Sequence, residues 1–74
     1  MLQEVNVLIQ ALGHEDAEIR IEAAWGLGEI KDYSAAEPLI KALHDDNKEV
    51  RQAGREALLK IISKYPEVEN IILF

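Results

Sequence analysis

Residues 8–30 read LIQALGHEDAEIRIEAAWGLGEI, and residues 39–61 read LIKALHDDNKEVRQAGREALLKI. The two stretches align without a gap at an offset of 31 residues, and eight of the 23 paired positions are identical. The identical apolar residues recur at helical spacing, which is typical of a repeated structural unit. The sequence therefore predicts that the chain is built from two copies of one helical unit.

Each unit is predicted to contain two helices. The first helix has apolar residues at i, i+3, i+4 and i+7 from Val5, and Gly13 stands where such a helix ends. In the second helix we expect an inward face made of Ile19, Ala23, Leu27 and Ile30. The second unit repeats the pattern with Leu39, Ile40 and Leu43 on one helix and Val50, Ala57, Leu58, Ile61 and Ile62 on the next.

Polar residues predict where the helices begin. Asp16 is suited to cap the second helix, and Asn47 stands at the matching position of the second unit. Ser34 and Glu37 have the spacing of a capping box, which predicts the start of the third helix. Pro38 falls in that helix's first turn, where a missing backbone donor costs little.

The end of the chain resembles the start of a further unit. PEVENIILF, from Pro66, matches the segment around AAEPLIKAL if the offset becomes 32, so that Ile71 and Ile72 stand where Leu39 and Ile40 stand. We expect a fifth helix here that covers the open end of the second unit, because a stacked repeat otherwise leaves its last face exposed. The prediction is an all-α fold, an α-solenoid of stacked antiparallel helical hairpins with about five helices. It forms one domain over residues 1–74, with repeats over 2–31 and 34–64 and a partial third repeat or capping helix over 66–74.

Composition excludes several classes of function. Fourteen acidic and eight basic residues give a net charge of −6, which argues against a nucleic-acid partner and favours a neutral or basic one. The chain has no cysteine, so disulfides and thiolate metal sites are excluded. Its first residues have neither a basic leader nor a continuous apolar run, so we expect no signal peptide, no membrane contact and a cytoplasmic location.

The pattern of an apolar helix, an acidic loop, [IV]-R-x-x-A and a helix that ends L-G-x-I resembles the HEAT-like repeats. It looks most like the short variety of about 31 residues first described in phycobilisome lyases, and EIRIEAAWGLGEI and EVRQAGREALLKI carry the resemblance. The resemblance implies an ion pair between Asp16 and Arg20, which neighbouring repeats extend into a ladder. Asn47 replaces the aspartate in the second unit, so the ladder is expected to be partial.

The sequence favours neither an iron centre nor nucleophilic catalysis. Deoxyhypusine hydroxylase, a HEAT-like enzyme, carries the iron-binding form H-E-A-A-x-x-L-G, but IEAAWGLG has Ile21 in place of the histidine, and Glu22 alone remains. Ser34 is committed to capping and Ser63 ends a helix, which leaves no activated nucleophile. We therefore predict no catalytic residue, no cofactor and no enzyme activity.

Two surface clusters were considered as binding sites. Acidic and histidine side chains of neighbouring loops come near each other, and we interpret them as caps and solvated turns, with no metal predicted: His14, Glu15, Asp16, His44, Asp45 and Asp46. Lys48, Arg51 and Arg55 form a basic stripe on the fourth helix. Pairing with nearby carboxylates, or solvation, explains that stripe better than phosphate binding in an acidic chain.

Trp25, the only tryptophan, has three competing interpretations: a partner anchor, ordinary packing, or a self-association contact. The resemblance implies that the second helix of each unit lines a concave surface. Two rows of that surface are predicted to bind a partner, namely Ile21, Glu22, Trp25 and Glu29 in one, and Gln52, Glu56 and Lys60 in the other.

The favoured hypothesis is a non-catalytic interaction module that holds a protein or peptide on an acidic concave face. The alternative is a structural unit that forms a homo-oligomer through its exposed ends, at Leu2 and Val5 or at residues 71–74. A remnant of a HEAT-like metal enzyme or lyase is the least favoured hypothesis.

Overall fold

The computed structural model describes residues 2–73 of the chain, and the side chains of residues 4–72. Its helices are α1 (Leu2–Ala11), α2 (Ala17–Ile30), α3 (Ala36–Ala42), α4 (Lys48–Lys64) and α5 (Val68–Leu73), with a 3₁₀ turn over Tyr33–Ala35. The described residues contain no strand. The prediction of an all-α repeat fold with five helices is confirmed.

The helices pack as two hairpins followed by a short final helix. Residues 12–16 join α1 to α2, and residues 43–47 join α3 to α4. Within the first hairpin α1 packs on α2, within the second α3 packs on α4, and α2 and α4 form the main interface between the hairpins. The largest fully buried side chains belong to this interface and its surroundings: Leu27, Leu39, Leu58, Ile61, Val50 and Val68.

Two helix caps occur where they were predicted. The Asp16 side chain accepts a hydrogen bond of 2.9 Å from the backbone N–H of Glu18, which opens α2. The Asn47 side chain accepts from the backbone N–H groups of Glu49 and Val50, at 2.8 and 3.1 Å, and opens α4. Each cap satisfies backbone donors that the first turn of a helix leaves unpaired.

The predicted capping box at Ser34 is wrong. Asp32 accepts from the backbone N–H of Ser34 at 2.8 Å and from its hydroxyl at 2.6 Å, and so opens the 3₁₀ turn. The side-chain and then the backbone hydrogen bond from Ser34 lower the pKa of Asp32. Helix α3 starts later, at Ala36, without a side-chain cap. Pro38 lies in its first turn, as expected.

Two residues predicted to face inward are partly exposed. Ile19 and Ile30 are 37% and 39% exposed, whereas Val50 and Ile61, their counterparts 31 residues later, are fully buried. The counterparts are covered because the first hairpin packs on the second. Within residues 2–73 nothing packs in that way on the first hairpin, so the same helix face remains open there.

Glycine allows the close contact between α2 and α4. A Cβ added at Gly28 would lie 2.9 Å from the Cα and 3.0 Å from the Cβ of Ala57. At Gly26 the nearest atom would be a terminal methyl of Leu8, at 3.1 Å. Gly28 is therefore required by the packing of the two backbones, and Gly26 touches only a movable side chain.

The segment after α4 is held by aromatic packing and by a buried valine. Tyr65 packs against Tyr33 edge to face, with 5.4 Å between the ring centroids and an interplanar angle of 84°. Val68, the first residue of α5, is fully buried. These contacts place α5 against α4. No helix in the described part of the chain has the length and apolar character that crossing a bilayer requires.

Candidate functional site

A shallow groove of about 240 Å³ runs between α2 and α4. Glu18, Ile21 and Trp25 line it from α2, and Glu49, Gln52, Ala53 and Glu56 line it from α4. We call this the acidic groove, because three carboxylates and no basic side chain line it. Its volume is smaller than that of most cofactor sites, which run from roughly 300 Å³ upward. It has room for one or two side chains of a partner.

Trp25 forms part of the wall of the acidic groove. Its side chain is 54% exposed, which is unusual for the largest apolar residue of a small domain. A tryptophan that served only to pack the core would be largely covered. Between the three sequence-based interpretations, this exposure disfavours ordinary packing and leaves the partner anchor and self-association.

Ile21 lies at the floor of the groove and is 6% exposed. The prediction that it forms part of an exposed partner surface therefore needs correction, because α4 covers most of its side chain. In the aligned unit its counterpart is Gln52, which is exposed. The Ile21 side chain packs between the two helices, and only its small exposed part is available to a ligand.

Glu29 and Lys60 form an exposed ion pair between the two hairpins. The hydrogen bond from Lys60, followed by its charge, lowers the pKa of Glu29. Neither residue lines the acidic groove. Each already has an oppositely charged partner within the chain, so these two predicted site residues are less available to a ligand than Glu56 is.

Glu22 is exposed but lies outside the acidic groove. Its counterpart at the 31-residue offset is Ala53, which lines the groove from the side of α4 that faces α2. Glu22 therefore lies on the opposite side of α2, away from α4. The structure thus brings together four of the seven predicted residues, Ile21, Trp25, Gln52 and Glu56. Glu29 and Lys60 pair with each other outside the groove, and Glu22 lies on the far side of α2.

Sequence reasoning missed Glu18 and Glu49, which bring two of the three carboxylates to the groove. The signal was present, since each stands three residues before a predicted groove residue, Ile21 or Gln52. Glu18 and Glu49 also align with each other in the repeat, as one of its identical positions. Both residues lie in the first turn of their helices, where a carboxylate also favours the helix dipole.

Arg20 joins the two hairpins beyond one end of the groove. Its Nε and Nη2 donate to the two carboxylate oxygens of Asp45 at 2.9 and 3.0 Å. Its Nη1 donates to the carbonyl oxygens of His14 and Glu15. The expected ion pair of Arg20 with Asp16 is therefore wrong: Asp16 caps α2, and the arginine reaches across to the next loop.

Asp45 is held from several sides. Although burial raises its pKa, the hydrogen bonds from Arg20 and from the backbone N–H of Asn47 lower it more, and the net pKa lies below the ordinary value. Arg51 donates to the backbone carbonyl of Asp45 at 2.7 Å. Of the predicted basic stripe, Arg51 is thus bound within the chain, while Lys48 and Arg55 are exposed.

Three of the loop side chains that are candidate metal ligands already have hydrogen-bond partners within the chain. Asp45 binds Arg20, Asp16 caps a helix, and the Nδ1 of His14 accepts from the backbone N–H of Asp16 at 3.0 Å. In the described residues no group of three or more histidine, cysteine or carboxylate side chains is placed to hold a metal ion. The loops serve to join and cap the helices.

Comparison with known proteins agrees with this geometry. A family model for HEAT repeats matches residues 5–71, which covers both hairpins except the first three residues of α1, and most of α5. A search of curated proteins finds no match to the chain. Two stacked hairpins related by a 31-residue repeat, together with a family match over nearly the whole chain, identify the protein as a member of the HEAT-repeat family.

Proposed function

We propose that this protein is a non-catalytic interaction module whose acidic groove binds a basic or amphipathic segment of another protein. HEAT repeats commonly serve as scaffolds for protein interactions, which supports a protein partner in kind. The observation that carries the proposal is Trp25, more than half exposed beside three carboxylates. Exposed tryptophans of this kind concentrate binding energy when a partner removes them from water.

Charge favours a basic partner. Glu18, Glu49 and Glu56 line one groove with no lysine or arginine among its lining residues, and the whole chain has a net charge of −6. A lysine or arginine that enters the groove gains attraction from all three carboxylates. The alkyl part of such a side chain also packs on an aromatic ring, and its charged end over the ring adds a cation–π contact.

Shape favours a segment that lies across the surface. The groove is open and holds one or two side chains, so a partner must contact the flanking helix surfaces as well. An amphipathic helix suits this arrangement, since residues three and four apart present one basic residue to the groove and apolar residues to Trp25. The binding is expected to weaken with salt, because the charges are exposed.

The fluorescence of Trp25 tests the proposal directly, because the chain has no other tryptophan. The protein is titrated with synthetic helical peptides that carry lysine and arginine on one face and leucine on the other, and with peptides of the same design that carry glutamate. We expect a saturable change in emission with the basic peptides only. Saturation by the acidic peptides alone, or by neither set, would contradict the proposal.

Matched variants locate the site. The triple variant Glu18→Gln, Glu49→Gln, Glu56→Gln removes the carboxylates of the groove, and Glu15→Gln, Glu37→Gln, Glu67→Gln removes three exposed carboxylates elsewhere. Both variants have the same net charge. We expect the first to weaken peptide binding about tenfold, which corresponds to about 1.4 kcal/mol over three ionic contacts of about 0.2–1 kcal/mol each, and the second to weaken it by less than about threefold. Equal losses would assign the effect to net charge and not to the groove.

A further inference from the structure

We infer that this chain stacks head to tail on a second copy of itself when α5 leaves its place on α4, and that docked α5 keeps the copies apart because it occupies the position that α1 of the next copy takes in the stack. The partner that binds the exposed edges of the chain is thus a second copy of the same chain. The inference does not depend on the acidic groove or on its ligand.

The N-terminal edge has the form of a repeat interface, and within residues 2–73 no further hairpin packs on it. This edge consists of the open surface lined by Glu4, Val7, Leu8, Gly26 and Ile30. Four of these have counterparts 31 residues later that are at most 2% exposed, because the first hairpin covers them: Ala35, Leu39, Ala57 and Ile61. The N-terminal edge therefore presents the surface that the second hairpin presents to the first.

The C-terminal edge matches the other side of that interface. It is lined by Leu43, Arg55, Leu58, Leu59, Ile62, Glu69 and Ile72. Leu59 is 61% exposed, and its counterpart 31 residues earlier is Gly28, which lies against Ala57 inside the chain. Within the chain, Gly28 of the first hairpin contacts Ala57 of the second. If the second hairpin contacts the first hairpin of the next copy in the same way, Leu59 of one copy lies over Gly26 of the next.

Charges at the two edges are complementary. Inside the chain Gly28 lies against Ala57, so one turn earlier Ala24 faces Ala53. The counterpart of Ala24, 31 residues later, is Arg55 on the C-terminal edge. The counterpart of Ala53, 31 residues earlier, is Glu22 on the side of α2 that carries Gly26. In the stack an arginine of one copy thus faces a glutamate of the next. Likewise, Lys60 pairs with Glu29 within the chain and faces Glu29 of the following copy.

The joint between copies is looser than the interface within the chain. At Gly28 a Cβ would lie 2.9 Å from the Cα of Ala57, so Leu59 at the equivalent place forces the two helices further apart. The counterpart of Asp45, which binds Arg20, is His14, so the joint lacks that ion pair. We therefore expect reversible association that depends on concentration.

Helix α5 resembles α1. It lies where the first helix of a third hairpin would pack. Val5, Leu8 and Ile9 of α1 correspond in spacing to Val68, Ile71 and Ile72 of α5. Val5 is 4% exposed and Val68 is fully buried, so the matching valine of each helix faces the protein interior, although α1 packs on α2 of its own hairpin and α5 packs on α4 of the preceding one. Because α5 is tethered to α4 by residues 65–67, it competes with α1 of another copy at a high effective concentration.

The first test undocks α5 in the full chain. Val68→Asp places a charge where a buried valine was, and Asn70→Asp adds the same charge at an exposed position of the same helix. In sedimentation experiments we expect the wild type and Asn70→Asp to be monomers, and Val68→Asp to exceed twice the monomer mass as concentration rises. Circular dichroism verifies that each protein is helical. If Val68→Asp is unfolded, Ile72→Glu, at a half-buried position of α5, replaces it with the same expectation.

The second test checks the register of the stack. In the Val68→Asp or Ile72→Glu background, Arg55→Glu alone and Glu22→Arg alone each bring like charges together at every joint, and we expect both to be monomers. In their equimolar mixture, a stack in which the two variants alternate brings opposite charges together at every joint, and we expect it to associate as the parent variant does.

Three results would overturn the inference. One is a folded α5 variant that stays monomeric at the highest concentration reached. Another is association of both single charge variants to the same extent as the parent, which would indicate nonspecific contact of apolar edges. The third is a mixture that stays monomeric, which would exclude the proposed register.

Discussion

Arg20 of α2 donates hydrogen bonds of 2.9 and 3.0 Å to the two carboxylate oxygens of Asp45, which lies 25 residues further along the chain. The two side chains are only 13% and 15% exposed, so this bidentate pair is more sheltered from water than the Glu29–Lys60 pair. It links the loop before α4 to the start of α2. The geometry suits arginine specifically, because a lysine cannot donate to both oxygens in one plane.

Asp45→Asn is expected to lower the midpoint of thermal unfolding by several degrees at pH 7, because it leaves Arg20 without its carboxylate. The difference from the wild type also depends on pH. Since the pKa of Asp45 is lower when the protein is folded, its contribution is present above the ordinary carboxyl pKa of about 3.9 and is lost as pH falls through the folded-state pKa. Thermal melts of both proteins from pH 7 to pH 2.5 should therefore converge at the acidic end. Curves that remain parallel would contradict the assignment.

Gly28→Ala and Gly26→Ala are expected to have opposite effects. Alanine is favoured over glycine inside a helix by about 1 kcal/mol, and at Gly26 its Cβ displaces only a methyl of Leu8, so stability should rise by up to that amount. At Gly28 the Cβ meets the backbone of Ala57, and separating α2 from α4 should cost about 1–3 kcal/mol overall. Urea unfolding of the two variants measures both changes. Equal effects would show that α2 and α4 are not in close backbone contact.

Lys31→Gly is expected to stabilise the protein. Lys31 ends α2 with φ 58° and ψ 42°, in the left-handed region that glycine adopts at little cost. Relief of the side-chain strain should raise the free energy of unfolding by up to about 1 kcal/mol. Lys31→Ala serves as the control, because it removes the same charge but keeps the Cβ. A gain of equal size in both variants would mean that charge, and not the backbone conformation, is responsible.

Lys60→Gln is expected to leave the thermal midpoint nearly unchanged. Its partner Glu29 and Lys60 itself are both well exposed, at 72% and 49% of their side chains, and exposed ion pairs contribute little to stability. The pKa of Glu29, measured by NMR titration, should nevertheless return toward its ordinary value in this variant, because the hydrogen bond and charge of Lys60 lower it. An unchanged pKa would mean that the pair is not formed in solution.

The repeat in the sequence was sufficient to predict the hairpins, because local signals determine them. Asp16 and Asn47 cap the helices that they precede in the sequence, and no distant contact is needed for that. The start of α3 was misplaced because the Ser34 hydroxyl donates to the carboxylate of Asp32 and does not cap the backbone N–H groups that follow it. The structure favours the carboxylate. Sequence spacing alone cannot decide between two such neighbours.

Burial of a repeated position depends on its neighbours and could not be predicted from one unit. Ile19 and Val50 occupy equivalent sites, yet only Val50 has another hairpin packed over it. The acidic groove shows the same dependence: Ile21 belongs to the core because α4 covers it, and Glu22 points away from α4. Partner preference at Arg20 was likewise unpredictable, since Asp16 and Asp45 are both carboxylates within its reach and only the packing of the hairpins brings Asp45 closer.

The central place of α4 has a consequence for the speed and order of folding. This helix packs against α2, α3 and α5, and α1 reaches the rest of the molecule mainly through α2. Each helix packs mainly on helices one or two places away along the chain, and helical proteins with such connections fold in microseconds to milliseconds. Folding that starts in the α3–α4 hairpin spreads outward to both sides. Substitutions in α4 should then slow folding, while those in α1 should mainly accelerate unfolding.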